Sequence, residues 1–192
     1  MNFLFHLYLS GDDPDILTGN LMGDFVKGRV GDGYPSRIRS GIVLHRGIDS
    51  FAQHHPLFNR SRERIDPVYR LWRGVLVDMF YDHFLAVEWE RWSPEPLDAY
   101  LLRVRGIVEE RRNWLPQGMQ PLVPVIFDEL LPSYREITGI GRALERMSRR
   151  VRRTNPLAGG EAELVRHYTG LREDFNQFVP KANQFVADFI IK

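Results

Sequence analysis

His45 and Asp49 interrupt an apolar stripe. Ile38, Ile42, His45, Asp49 and Ala52 recur at spacings of four, three, four and three, which trace one face of a helix. A solvated face would not have isoleucine and alanine as its neighbours. Leu71, Val75, Asp78, Asp82, Leu85 and Trp89 repeat the pattern, with two carboxylates one turn apart. Ionised carboxylates in such surroundings are costly unless a cation compensates them. His83 lies about 100° round the same helix. Ile16, Asn20 and Asp24 align at spacings of four, and His6 sits in an apolar opening segment.

Together His6, Asp24, His45, Asp49, Asp78, Asp82 and His83 offer imidazoles and carboxylates without any thiolate, since the chain has no cysteine. That donor set suits a hard or borderline divalent ion such as Mn²⁺, Mg²⁺ or Zn²⁺. Such an ion would offset buried negative charge, generate hydroxide and polarise a phosphoryl oxygen. Taken singly, each residue has a structural role open to it. His6 could be a hydrogen-bonded core histidine, Asp24 a partner of Lys27 and Asp49 a partner of Arg46. Asp78 and Asp82 ask for more, because one arginine would have to satisfy both.

The elements that must position these side chains read as helices. Asp12-Asp13-Pro14-Asp15 is a helix start with acids where the dipole favours them. The punctuation predicts helices over 12–28, 36–54, 67–92, 96–114, 139–153 and 161–188, the last with a kink at Pro180. Period-two β-branched runs and Asn-Gly turns are missing, so strands are not expected. The expected architecture is one all-α domain over 1–192, a length that suits a single domain. Apolar residues make up 43% and charged residues 27%, which excludes a disordered chain. The formal net charge is +1, so electrostatic recognition must come from local patches. No segment approaches the roughly 18 apolar residues needed to span a membrane, and the opening lacks a secretory pattern. A cytoplasmic protein with no membrane partner is expected.

Four blocks of the sequence resemble the bacterial acyl carrier protein phosphodiesterase family. They are Asn2-Phe3-Leu4-Phe5-His6-Leu7, Gly19 to Gly28, Gly41-Ile42-Val43-Leu44-His45-Arg46-Gly47-Ile48-Asp49, and Asp78 to Leu85. Phe175, Phe178 and Pro180 resemble the family's closing aromatic pattern. The blocks occur in family order across nearly the whole chain. The resemblance implies hydrolysis of holo-acyl carrier protein to apo-carrier protein and 4′-phosphopantetheine. It also implies dependence on Mn²⁺, with Mg²⁺ as the other candidate, and a fold distantly related to the helical HD-type phosphohydrolases. The HD pattern itself is altered here, since Arg46 follows His45 and Asp82-His83 reverses the eponymous pair.

On that footing the expected metal set is Asp24, His45, Asp78 and Asp82, with His6 next. Asp49 is expected to orient His45, Arg46 to neutralise a phosphate oxygen and His83 to protonate the departing serine. Carrier proteins are acidic, so a basic docking face is expected. Arg142, Arg146, Arg149, Arg150, Arg152 and Arg153 supply one against a single Glu145, and Arg60, Arg62, Arg64, Arg70 and Arg73 make a second basic run. A merely solvated helix face accounts for the same charges. Nucleic acid is not expected, because the net charge is small and no recognition motif accompanies the arginines. Two other readings remain: a hydrolase of a small phosphodiester, and a non-catalytic helical protein that binds a carrier or RNA.

Overall fold

Helix starts are written into the sequence and capped as written. Asp13 caps the second helix, accepting hydrogen bonds from the Asp15 and Ile16 amides with Pro14 at the first helical position. His55 does the same for the fourth, accepting from Leu57 N–H ahead of Pro56. The computed structural model describes residues 2–190. Its helices are α1 (Phe3–Leu9), α2 (Pro14–Leu21), α3 (Ser36–His54), α4 (Pro56–Arg64), α5 (Arg73–Val87), α6 (Trp89–Trp92), α7 (Leu97–Glu110), α8 (Leu131–Ser133), α9 (Ile137–Arg150) and α10 (Glu161–Ile190). Short 3₁₀ and π turns join them, and no strand occurs among the described residues. The molecule is a single all-α domain. No described helix is long and apolar enough to cross a membrane.

The helix α5 runs through the core, with Leu76, Val77, Met79 and the whole run Phe80–Ala86 buried. Aromatic rings bind it to both ends of the chain. Phe5 of α1 meets Phe175 of α10 edge-on at 6.2 Å, and Tyr81 of α5 meets Phe175 and Phe178 at 5.4 and 5.5 Å. The buried carboxylate of Asp174 on α10 accepts from Arg60, Ser61 and Arg64 of α4, which pins these two helices together. Two of the basic-run arginines are therefore internal ties.

Helices α2 and α3 cross at glycine. A Cβ on Gly41 would fall 2.2 Å from the Ile16 carbonyl oxygen, and one on Gly19 would fall 2.1 Å from that of Ile38. With no Cβ at either position the backbones touch, which brings Asn20 against the middle of α3.

Two predicted helices are shorter than their periodicity suggests. The helix expected over 12–28 ends at Leu21 and continues as a 3₁₀ turn, Gly23–Phe25. A Cβ on Gly23 would lie 2.2 Å from His45 Cγ, so the chain turns there around the imidazole. The helix expected over 67–92 is divided into a 3₁₀ turn at Pro67–Trp72, α5 and α6. Arg70 interrupts that turn with φ 46° and ψ −121°. Leu71, placed on the apolar stripe by its spacing, is consequently 85% exposed. In α10 the non-helical angles occur at His167, φ −113° and ψ 16°, rather than at Pro180.

Candidate metal centre

Three elements deliver side chains to one point. Helix α1 contributes His6, the Gly23–Phe25 turn contributes Asp24, and one face of α3 contributes His45 and Asp49. The Nε2 of His6 lies 3.2 Å from Asp49 Oδ1, and the Nε2 of His45 lies 3.3 Å from Asp49 Oδ2. His45 Nε2 is also 3.5 Å from Asp24 Oδ1. The two imidazoles stack with centroids 3.8 Å apart and planes 12° from parallel. Stacking places their Nε2 atoms side by side.

Asn20, fully buried on α2, sets both rings. Its backbone carbonyl can only accept, so His45 Nδ1, 2.8 Å away, carries the proton. Its side-chain amide donates to the His6 carbonyl oxygen at 3.0 Å and to Ser10 Oγ at 2.8 Å. That fixes its Oδ1 toward His6 Nδ1 at 2.9 Å, which must also be the protonated nitrogen. In the neutral rings both Nε2 atoms are thereby left to point lone pairs toward the carboxylates. This is how metal-binding histidines are oriented in general, with the far nitrogen tied to a fixed acceptor.

The electrostatics call for a cation. Burial pulls His6 down to about 4, so it is neutral near pH 7. Burial also acts against charge on His45, but the close carboxylates of Asp24 and Asp49 lift it to about 9. Asp24 is held below the usual carboxylate range, chiefly by His45. Burial would raise Asp49, yet contact with His45 and His6 keeps it well below that range. Two carboxylates thus stay ionised and draw positive charge onto the nearest imidazole. The buried His45 Nε2 nevertheless makes no hydrogen bond of good geometry to either. His6, His45 and Asp49 form a group that could hold a metal ion, their ligand atoms all lying within 4.8 Å of one another. With neutral imidazoles, the added Asp24 brings the cluster to the charge a divalent ion balances.

Other residues singled out by spacing lie around or away from this point. Asp78 and Asp49 line one cavity of 340 Å³, together with His54, Arg62, Leu71 and Val75. Burial pushes the Asp78 carboxyl up to about 6. Asp82 is fully buried, and its two oxygens accept from the Leu4 and Phe5 amides, each at 2.9 Å. It caps the start of α1, where Asn2 provides no side-chain cap. Burial pushes its carboxyl up to about 7 against those two amides. His83 is turned to the Tyr134 carbonyl at 2.8 Å and the Tyr168 hydroxyl at 3.2 Å, and burial lowers it. Arg46 donates to the Val26 carbonyl at 2.8 Å and so braces the segment that follows Asp24. Spacing put Asn20 on the face of Asp24 but gave no hint of its hold on two imidazoles. His54 carries no signal of its own, and Arg62 reads only as part of a basic run.

A family model for acyl carrier protein phosphodiesterase matches residues 1–182. The chain belongs to the acyl carrier protein phosphodiesterase family. It is 32% identical over 182 residues to a relative of that name from Photorhabdus laumondii, covering 94% of this chain and 92% of the relative. A family member from Klebsiella pneumoniae is 34% identical over 183 residues, covering 94% of this chain and 95% of the relative. One from Yersinia pestis is 32% identical over 182 residues, covering 94% of each chain. No solved structure matches the chain. The group of His6, His45 and Asp49 that could hold an ion, with Asp24 beside it, lies wholly inside the matched region.

Proposed function

We propose that this protein hydrolyses the phosphodiester joining 4′-phosphopantetheine to a serine of holo-acyl carrier protein. The products are apo-carrier protein and free 4′-phosphopantetheine. The observation that carries the reading is the paired, tautomer-fixed imidazoles of His6 and His45 on the Asp49 carboxylate, beside a cavity lined with acid and arginine. His6, His45, Asp49 and Asp24 would hold a divalent cation, Mn²⁺ first and Mg²⁺ second. Bound there, the cation supplies Lewis-acid polarisation of the phosphoryl oxygen and makes water more acidic.

The chain's own residues supply the rest. Arg62 gives one donor to Asn59 at 3.2 Å and lines the cavity, where its charge suits a phosphate oxygen. Asp78, with a carboxyl near 6, is matched to accept a proton from the attacking water near neutral pH. His54 donates Nδ1–H to the Ser50 carbonyl at 2.7 Å, which leaves Nε2 to hand a proton to the departing serine oxygen. The bond from phosphorus to the serine oxygen breaks as the bond from phosphorus to water forms. Arg62 and His54 take the roles first expected of Arg46 and His83, because they line the cavity with Asp49. The exposed Arg142, Arg150 and Arg153 form the docking face for an acidic carrier. Arg146 and Arg149 flank it while paired with Glu129 and Glu145.

The test is to incubate metal-stripped protein with holo-carrier protein, with and without Mn²⁺, and to weigh the intact carrier by mass spectrometry. Loss of the entire phosphopantetheine group in the Mn²⁺ sample alone is expected. An unchanged carrier across several divalent ions, with the enzyme folded, refutes the reading. Hydrolysis of small phosphodiesters instead would move it to the second hydrolase class. Replacing Asn20 with leucine frees His6 from its acceptor, and Mn²⁺ affinity should then fall about 10–100-fold by calorimetry. Wild-type affinity in that variant would remove Asn20 from the centre.

A further inference from the structure

Beside the metal cavity lies a larger cleft of 630 Å³, formed by the Pro67–Trp72 turn, the start of α5 and the loop after α9. Leu71 and Val75 line both spaces, so the cleft adjoins the cavity that holds Asp49 and Asp78. The other cavities of similar size, beside Ser36–Val43 and beside Glu88–Arg91, have no wall in common with it. The cleft is built from side chains that a folded surface normally hides. Val68 is 65% exposed and Leu71 85%, and Trp72 stands next to them. Between them Arg70 holds a positive φ of 46°, the one non-glycine residue to do so among those described. Exposed apolar side chains on a strained turn, at the mouth of a charged cavity, mark a surface shaped for a ligand.

We propose that this cleft receives the pantetheine arm of the substrate, running from the phosphate at the metal cavity past Leu71 and Val75 toward Val68 and Trp72. The inference rests on the phosphodiesterase reading and adds to it where the organic part of the ester lies. The chemistry matches along the path. The arm carries no charge, begins with a geminal dimethyl group next to the phosphate, and continues through two amides to a thiol. Leu71 and Val75 stand where the dimethyl group would leave the cavity. Arg70 and Arg153 also line the cleft. The carrier protein, attached to the opposite side of the phosphorus, is left outside.

Val68→Glu and Leu71→Glu test this, since both side chains already face water and their replacement leaves the core intact. Turnover of holo-carrier protein with Mn²⁺ is followed at varied substrate, and free pantetheine is added as a competitor. For each variant KM should rise about tenfold, with kcat changed much less. Inhibition by pantetheine should weaken by a similar factor, and pantetheine should alter the fluorescence of Trp72 in the wild type, with Trp72→Phe as the control. Cleavage by the wild type with KM and pantetheine inhibition unchanged in both variants overturns the arm site alone. Failure of the wild type to cleave holo-carrier protein overturns the phosphodiesterase reading beneath it.

Discussion

Asp49→Asn is expected to lower kcat/KM on holo-carrier protein by about three orders of magnitude, roughly 4 kcal/mol of transition-state stabilisation. Among the described residues, Asp49 is the one carboxylate that meets both imidazoles, His6 through Oδ1 and His45 through Oδ2. The amide keeps the shape of the side chain and removes its charge, so the helical circular dichroism should survive. A second readout comes from His45. Its raised value of about 9 works against burial and depends on Asp24 and Asp49. Losing one of them should bring the imidazole titration down toward the ordinary histidine range, as seen by NMR on the metal-stripped protein. Asp82→Asn is the contrasting variant. Asp82 caps α1 from inside the core, so its replacement should weaken the fold while activity of the remaining folded protein stays within about tenfold. Equal losses of activity in both variants would return Asp82 to the metal set.

Gly41→Val should prevent the protein from folding, and Gly41→Ala should cost about 2–4 kcal/mol in urea denaturation. The reason is contact, not conformation. A Cβ at Gly41 meets the Ile16 carbonyl oxygen at 2.2 Å, the Asn20 nitrogen at 2.8 Å and the Gly19 Cα at 2.9 Å, all of them main-chain atoms that cannot turn aside. Relief requires α2 and α3 to separate. Since Asn20 on α2 sets the His45 ring on α3, any folded fraction of Gly41→Ala should also bind Mn²⁺ more weakly. Gly106 on the exposed side of α7 gives the opposite result. A Cβ there meets nothing, so Gly106→Ala should stabilise the helix by about 0.5–1 kcal/mol. Unchanged stability in Gly41→Ala would mean that the helices are not held by this crossing.

The helical fold was legible because its punctuation is explicit. Asp13-Pro14, Pro35-Ser36 and Pro96-Leu97 each stand at a helix start in the structure, whereas α4, opened by Pro56, was not expected. Periodicity also placed His45 and Asp49 on one face of α3, and they lie on one face there. It failed where a period does not say what sits opposite. Asp78 and Asp82 are one turn apart on α5, yet Asp78 borders a cavity while Asp82 meets the amide end of α1. No spacing on α5 encodes the arrival of α1. The break at Arg70 was equally hidden, since nothing in Tyr69-Arg70-Leu71 announces a positive φ. His54 does not stand out and Arg62 reads only as part of a basic docking run until α3, α4 and α5 enclose a space between them.

The cap that Asp82 gives α1 sets an order of events during synthesis. His6 leaves the ribosome early, but the carboxylate that anchors its helix lies 78 residues beyond Leu4. The rings that close over Phe5 come from α10, near the other end of the chain. A growing chain therefore holds its first histidine without the frame that aims it, and such long-range contacts are slow to form. The cluster of His6, His45 and Asp49 can be complete only after nearly all of the polypeptide has folded, so an ion bound there would be loaded onto a finished protein and would not template it.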